Sequence, residues 1–360
     1  MDSRSETRRV TRRRFLTTTG TAAGLAGLAG CAGTPGSAGG DGASDSGSSG
    51  SGRNAEDTDD GTRVVASFFS FYDFARHVAA GTSVTVENLV PTGLHGHGWE
   101  PNASVTRDII EADAFVHVGE GFQPWADRAI RTVQDDGADT QLINVREGVE
   151  LIDITASVGE DEAVADGKDP HFWLDPERAR IAVDNIAEGF AALSPDEADA
   201  FRANAEAYGT DVLDAIDAEY RRVFDDPPRR VVQLAAHNAF QYVGVRYDVE
   251  MRPLVYNLAA SGDVKPSDIT RAKRIIEENG IEYIGAAVFE SRRPARQLLA
   301  ETPVEAYFPV TPYAGVREDW VEQGWGYEEI ARRINVPTFD VVLGNRTPAE
   351  ADHEDWRNFE

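Results

Sequence analysis

The sequence is poor in cysteine and in positive charge. Its 360 residues include one cysteine and 35 basic side chains against 62 acidic ones, for a formal net charge of −27. One cysteine, Cys31, excludes a disulfide within the chain and a multi-thiolate metal site. Repulsion by the negative charge excludes a nucleic-acid partner. Acidic residues spread along the whole chain favour a halophilic source, where salt screens the repulsion, with an ordinary acidic extracellular protein as the alternative.

The N-terminus lacks an apolar run long enough to cross a membrane. Residues 1–30 carry an arginine cluster followed by a short apolar stretch rich in glycine and threonine, whereas a membrane span needs about 20 apolar residues. We interpret residues 1–30 as a cleaved export signal. Residues 11–16 (TRRRFL) resemble a twin-arginine signal and residues 28–31 (LAGC) a lipoprotein cleavage box, so Cys31 is the predicted lipid anchor to the membrane.

The next segment lacks apolar side chains almost entirely. Residues 32–61 are mostly glycine, serine and aspartate, a composition that cannot bury enough surface to fold. The remaining length is enough for two lobes of ordinary size. The predicted organisation is a lipidated cysteine and linker (31–61), an N-terminal lobe (62–190), a connecting helix (191–225), a C-terminal lobe (226–345) and a polar tail (346–360).

Apolar runs alternate with amphipathic ones on both sides of the connector. This alternation predicts an α/β fold of two lobes, each a mostly parallel sheet covered by helices. Predicted strands include residues 63–71 and 230–236, and the first predicted helix covers 72–80. Residues 194–197 have the form of a capping box and open one long helix that joins the lobes. After residue 308 we expect only a closing helix and a final strand, with a turn at Val336-Pro337.

Three of the seven histidines occupy loops that should face the junction between the lobes. His97 lies in a glycine-rich loop after a strand, His171 lies between two prolines, and His237 follows an apolar strand. Neutral imidazoles suit zinc, and three of them with one oxygen make a tetrahedral set. The sequence therefore predicts a metal site between the lobes.

Glu290, at the end of an apolar strand, is the predicted fourth oxygen ligand or an acceptor beside a ligand. His95 is the alternative to His97 as first ligand. Three tryptophans near the expected cleft either shield the metal or fill the core: Trp99, Trp125 and Trp173. The other histidines are expected outside the site. His77 is expected on the surface, His117 in a core strand and His353 in the polar tail.

Three motifs carry a resemblance to a known family. Residues 93–101 read GLHGHGWEP, residues 169–176 read DPHFWLDP, and residues 237–242 read HNAFQY. In this order they resemble motifs of the substrate-binding lipoproteins of zinc and manganese ABC importers. The resemblance implies His97, His171 and His237 as metal ligands and a monomer that delivers captured metal to a membrane permease. It also implies zinc (Zn²⁺) rather than manganese, because manganese-type members tend to carry a carboxylate where His237 stands.

The sequence departs from this family in three places. Gly96 stands where proline usually precedes the first ligand. An acidic segment, residues 158–166, replaces the histidine-rich loop of many zinc members, and the family pattern fades after residue 308. Apart from these departures, the absence of a carboxylate near residues 310–313, where manganese-type members supply an aspartate, also points to zinc.

Two other functions are weighed against metal capture. A metallohydrolase of the barrel type would need about eight strand–helix units, and the long helix consumes chain that these require. No paired acid and base or activated serine stands beside the histidines in sequence, so we expect no enzyme activity. The second alternative is an adhesin, since surface-tethered members of the family have been given that role.

Overall fold

The structure, a computed structural model, describes residues 61–94, 96, 99–154, 167–256 and 264–360. The predicted signal, Cys31 and nearly all of the linker lie outside these residues. So do His95, His97 and the acidic segment 158–166. Among the helices that are described, none combines the length and the apolar character needed to cross a membrane.

The N-terminal lobe is built on four parallel strands in the order β2-β1-β3-β4. The predicted first strand is shorter than expected, because buried aromatic residues recur at helical spacing from Phe69 onward. The elements of the N-terminal lobe are β1 (Arg63–Ala66), α1 (Phe69–Val78), β2 (Thr85–Asn88), α2 (Ala103–Ile110), β3 (Ala114–His117), α3 (Pro124–Asp136), β4 (Gln141–Asn144) and α4 (Pro176–Leu193).

The connector is helical from α5 (Ala198–Tyr208) through a π-helical turn (Gly209–Leu213) to α6 (Asp214–Phe224). The predicted capping box at its start is wrong. Glu197 is engaged elsewhere, because its carboxylate accepts hydrogen bonds from the main-chain N–H (2.9 Å) and the hydroxyl (2.6 Å) of Ser83. A 3₁₀ turn (Pro195–Glu197) opens the segment instead.

The C-terminal lobe repeats the strand order of the first lobe. Its four parallel strands lie in the order β6-β5-β7-β8, so the second strand in sequence is again at one edge. The sequence reading missed β6. The elements are β5 (Val231–Ala235), α7 (Gln241–Tyr247), β6 (Glu250–Pro253), α8 (Pro266–Asn279), β7 (Tyr283–Ala287), α9 (Arg293–Glu301) and β8 (Ala306–Val310).

The expected final strand is wrong. After β8 the described chain forms α10 (Glu318–Glu322), α11 (Tyr327–Ile330), a π-helical turn (Ala331–Asn335) and α12 (Val336–Val342). Val336 and Pro337 begin α12 rather than a turn. Nearly every residue of α12 is buried, and a segment buried on all sides shows no period by which sequence could separate helix from strand.

The end of the predicted polar tail packs on the C-terminal lobe. Asn358 donates its main-chain N–H to the carbonyl of Tyr307 in β8 (2.9 Å), and its side-chain oxygen accepts from the N–H of Tyr307 (3.1 Å). His353 is 1% exposed and hydrogen bonds to the Thr338 hydroxyl at 2.9 Å.

The carboxyl ends of both sheets meet at the junction between the lobes. The segment after β2 hydrogen bonds to the segment after β8, through the N–H of Gly93 and the carbonyl of Val316 (2.8 Å). One continuous apolar core runs through both lobes. The α/β fold of two parallel-sheet lobes is therefore confirmed. Two separate four-stranded sheets in the described residues are incompatible with a single eight-stranded barrel.

Candidate functional site

His171 lies at the start of a 3₁₀ turn (Phe172–Leu174) and is 1% exposed. The Asp169 carboxylate, fully buried two residues earlier, accepts hydrogen bonds from both the main-chain N–H (2.9 Å) and the ring Nδ1 (2.8 Å) of His171. Burial lowers the pKa of His171, while the nearby Asp169 carboxylate acts in the opposite direction. Asp169 thus holds the ring in one orientation with Nδ1 as the donor.

Asp169 also connects the two lobes. Its second carboxylate oxygen accepts a hydrogen bond from Gln241 Nε2 at 2.5 Å, and its carbonyl accepts one from the Tyr242 hydroxyl at 2.7 Å. Gln241 and Tyr242 begin α7 in the C-terminal lobe. The segment that carries His171 is therefore fastened directly to the helix that follows His237.

His237 follows β5 and is 1% exposed. Its ring Nδ1 is 2.6 Å from Glu290 Oε1, and its main-chain N–H donates to the same oxygen at 3.4 Å. Glu290 follows β7, the strand that pairs with β5. Neighbouring parallel strands end at the same edge of a sheet, which explains how residues 53 positions apart meet.

The two imidazole rings lie close together at the junction, with their centroids 5.4 Å apart and their planes inclined at 49°. Zinc lies about 2.0–2.1 Å from an imidazole nitrogen, so two rings bound at a tetrahedral angle would have centroids roughly 5 Å apart. The observed spacing fits one shared ion. Within residues 61–94, 96, 99–154, 167–256 and 264–360, no three His, Cys, Asp or Glu side chains form a metal-binding group; His97 lies outside these residues.

Aromatic side chains surround the buried side of His171. The ring of Trp173 is 5.3 Å from that of His171, and the ring of Phe122 is 6.1 Å away. Trp173 is fully buried and donates its indole N–H to the carbonyl of Pro312 at 2.7 Å. Trp99 and Trp125 instead contact each other at 5.2 Å in a separate cluster of the N-terminal lobe. Within the described residues, which exclude His97, Trp173 is the tryptophan in ring contact with a predicted ligand.

The histidines expected outside the site lie in three different surroundings. His117 is buried in β3, where its Nδ1 accepts from the N–H of Gly119 (3.2 Å), and burial lowers its pKa to about 4. The prediction of a satisfied core residue is confirmed. His353, predicted in a polar tail, is instead buried, which lowers its pKa to about 4. The side chain of His77 is 39% exposed.

Sequence reasoning missed Asp169 and Gln241 as parts of this site. Asp169 had a local signal, because an aspartate commonly bonds to the main-chain N–H two residues ahead, and here that residue is His171. Gln241 had no comparable signal, since its partner Asp169 is 72 residues away.

The fold and the paired histidines define a two-lobed α/β protein with a polar site between its lobes. The family model described as zinc-uptake complex component A, periplasmic (ZnuA), matches residues 64–332. This match covers more than half of the chain, and the chain belongs to that family.

Several individual proteins are similar to this chain. The zinc-binding protein AdcA of Streptococcus pyogenes is 26% identical over 316 residues, which cover 81% of this chain and 58% of AdcA. The chain thus spans little more than half the length of that relative. The high-affinity zinc uptake system protein ZnuA of Bacillus subtilis is 24% identical over 277 residues, covering 75% of this chain and 84% of that protein.

Solved structures support the same fold. The Zn(II)-bound ZnuA-like domain of Streptococcus pneumoniae AdcA superposes with a TM-score of 0.66 at 23% identity, over 79% of this chain and 99% of that domain. The laminin-binding protein Lmb of Streptococcus agalactiae, titled a bifunctional protein with adhesin and metal-transporting activity, has a TM-score of 0.68 at 20% identity, over 79% and 99%. At these identities the likeness concerns the fold.

Proposed function

We propose that this protein captures zinc outside the cytoplasm and delivers it to the membrane permease of an ABC importer. The observation that carries the proposal is the pair of buried rings, His171 and His237, at the separation expected for two ligands of one tetrahedral ion. Membership of the zinc-uptake family supports the same cargo. The names of the relatives in Streptococcus and Bacillus, which refer to zinc binding and zinc uptake, agree with it.

His171 and His237 would bind the ion through Nε2. In each ring a carboxylate accepts from Nδ1, which fixes the tautomer that presents Nε2 as the metal ligand. His97 is proposed as the third ligand. It follows Gly96, whose carbonyl accepts a hydrogen bond from Gln123 in the buried interior of the N-terminal lobe.

Glu290 is proposed to act mainly through His237. Its Oε1 accepts from the ring, a short contact of 2.6 Å that favours the role of hydrogen-bond acceptor over that of fourth ligand. The second carboxylate oxygen remains the proposed oxygen donor to the ion should Glu290 also coordinate it.

Zinc is preferred over manganese because of the donor set. Imidazole nitrogens suit zinc, whereas manganese favours carboxylate oxygens. Residues 311–313 offer no carboxylate to the junction, and their carbonyl and side-chain oxygens accept hydrogen bonds from protein groups such as Trp173 and Ser70.

The proposal includes no chemical turnover. No paired acid and base or activated serine stands beside the three histidines in sequence, and hydrolysis would require such groups. Export by the predicted signal and anchoring through Cys31 complete the proposal, because they would hold the protein beside its permease.

Metal competition on the wild type and on His237→Glu tests the cargo. We expect the wild type to prefer zinc over manganese, and we expect the variant to lose zinc affinity because an oxygen replaces the imidazole. His77→Glu is the matched control, since it makes the same substitution at a half-exposed histidine.

Two outcomes would contradict the proposal. Equal zinc affinity in the wild type and in His237→Glu would remove His237 from the site. A wild type that binds neither zinc nor manganese below the micromolar range would exclude metal capture and leave adhesion as the better function.

A further inference from the structure

The segment after β8, residues 311–316, contains no candidate ligand, yet it bonds to three segments of the N-terminal lobe. Its carbonyls accept hydrogen bonds from the start of α1, from the segment after His171 and from the loop before His97. The four donors, each followed by the residue whose carbonyl accepts, are Ser70 Oγ to Tyr313 (2.8 Å), Trp173 Nε1 to Pro312 (2.7 Å), Gly93 N to Val316 (2.8 Å) and Gly96 N to Ala314 (3.2 Å).

Gly96 is held from both lobes. Its N–H donates to Ala314 in the C-terminal lobe, and its carbonyl accepts from Gln123 Nε2 at 3.2 Å in the N-terminal lobe. Gln123 is 1% exposed and is itself fixed by Ser67, whose hydroxyl donates to Gln123 Oε1 at 2.7 Å. The peptide groups on either side of Gly96 are therefore both fixed, directly before His97 in the chain.

A Cβ would crowd this contact at two points. A Cβ at Gly315 would overlap with the carbonyl oxygen of Leu94, which is main chain and cannot rotate away. A Cβ at Gly96 would lie 3.0 Å from the Phe68 ring and 3.3 Å from the carbonyl of Ala314. A proline at position 96 would in addition have no N–H to donate to Ala314.

The C-terminal side of this contact has little freedom to yield. Thr311 is held by the Asn335 side chain, which accepts from its N–H at 3.0 Å and donates to its carbonyl at 2.8 Å. Tyr313 has a left-handed backbone conformation (φ 55°) that the Thr311 hydroxyl stabilises by accepting the Tyr313 N–H at 3.1 Å. A Cβ at Gly315 would therefore displace the loop of residues 93–96 rather than residues 311–316.

We propose that Gly315 and Gly96 are positioning residues, which hold the loop before His97 against residues 311–316 and so set how slowly zinc is released. This inference rests on the proposed function, in which His97 supplies one ligand. Loss of the two loop hydrogen bonds lets the loop separate from the C-terminal lobe. Such a change acts mainly on the rate of dissociation, as most changes at a preformed contact do.

The test measures zinc release from the full chain, purified in detergent, by mixing the zinc-loaded protein with an excess of chelator. We expect Gly315→Ala to release zinc at least about tenfold faster than the wild type, the effect of one to two ordinary hydrogen bonds. The matched control is Gly189→Ala in α4, where a Cβ would lie 2.7 Å from the Ile143 side chain in the core. The control should lower the melting temperature of the metal-free protein and leave release within about twofold of the wild type.

A second pair of variants isolates the hydrogen bond and replaces the first pair if Gly315→Ala does not fold. Gly96→Ala adds a Cβ and keeps the N–H donor, whereas Gly96→Pro adds a Cβ and removes the donor. We expect faster release from Gly96→Pro than from Gly96→Ala. Release from both Gly315→Ala and Gly96→Pro within twofold of the wild type would overturn the inference. A wild type that retains no zinc would instead refute the proposed function, so the two failures are distinct.

Discussion

His171 and His237 have the same kind of partner in the two lobes, but the partners are held differently. Asp169 is fully buried, lies two residues from its histidine and bonds to the other lobe through Gln241. The Glu290 side chain is 15% exposed and reaches His237 from the neighbouring strand. One ring is fixed by local chain geometry and a buried carboxylate, the other by the register of two strands. The N-terminal half of the pair should therefore be the more rigid.

The largest expected effect is the removal of either ring. His171→Ala and His237→Ala should each reduce zinc affinity by more than the roughly 10–100-fold typical of losing a residue that hydrogen bonds to a metal ligand.

The two variants should also differ in the stability of the metal-free protein. His171→Ala leaves a buried carboxylate with fewer donors and should lower the free energy of unfolding by about 1–3 kcal/mol, more than His237→Ala does. Zinc titration and denaturant unfolding check both, and equal destabilisation would contradict the proposed difference in rigidity.

Low pH should lower the free energy of unfolding through two buried histidines that lie outside the site. The folded-state pKa values of His117 and His353 are about 4, below the ordinary 6.5, because burial disfavours the charged ring. The unfolded chain therefore binds protons first as pH falls below 6.5, and stability declines until pH reaches about 4. Each residue should contribute about 3 kcal/mol to this loss.

Unfolding measured between pH 4 and 7 on the wild type, His117→Asn and His353→Gln checks this prediction. Each variant should remove part of the pH dependence, because its amide keeps a hydrogen-bonding group but does not titrate. An unchanged slope in His353→Gln would show that the C-terminal tail does not keep that ring neutral.

Neutralising the two carboxylates should have an intermediate effect. We expect Asp169→Asn and Glu290→Gln to weaken zinc binding by about 10–100-fold, since each orients a ligand ring. The loss should be larger for Asp169→Asn, because this carboxylate is fully buried and also accepts a hydrogen bond from Gln241. Calorimetric titration of both variants measures the order, and the reverse order would refute the comparison drawn above.

The smallest expected effect concerns the link between the lobes. Gln241→Leu removes the donor to Asp169 Oδ2 and should reduce zinc affinity by a few-fold, about the net worth of one hydrogen bond. Gln233→Leu is the matched control, because Gln233 is also buried and its Nε2 bonds to carbonyls in β5 and β6. Similar zinc affinities for both variants would mean that Gln241 stabilises the fold without orienting the site.

Most of the α/β order could be predicted from sequence, because central parallel strands are short apolar runs and the helices between them have one apolar face. The positions of His171 and His237 followed from the same pattern, since both come after strands or within restricted loops. The region after β8 could not be predicted in this way. Its helices are buried on several sides, and its contacts, such as Asn335 with Thr311, join residues whose pairing only the folded chain brings about.

The partners of the predicted ligands were harder to foresee than the ligands. Glu290 was recognisable because it directly follows an apolar run that was predicted to be a strand. The roles of Gly96 and Gly315 depend on the close approach of two main chains, and no side-chain pattern in a single sequence records such an approach.

The packed C-terminus has a consequence for solubility. β8 is an edge strand of its sheet, and an edge strand can pair with another molecule through its unpaired main-chain N–H and C=O groups. Here Asn358 hydrogen bonds to both the N–H and the carbonyl of Tyr307. Pro309 has no N–H, and its carbonyl accepts a hydrogen bond from the Thr338 hydroxyl at 2.7 Å. The last residues of the chain thus close a sheet edge that would otherwise be a route to aggregation.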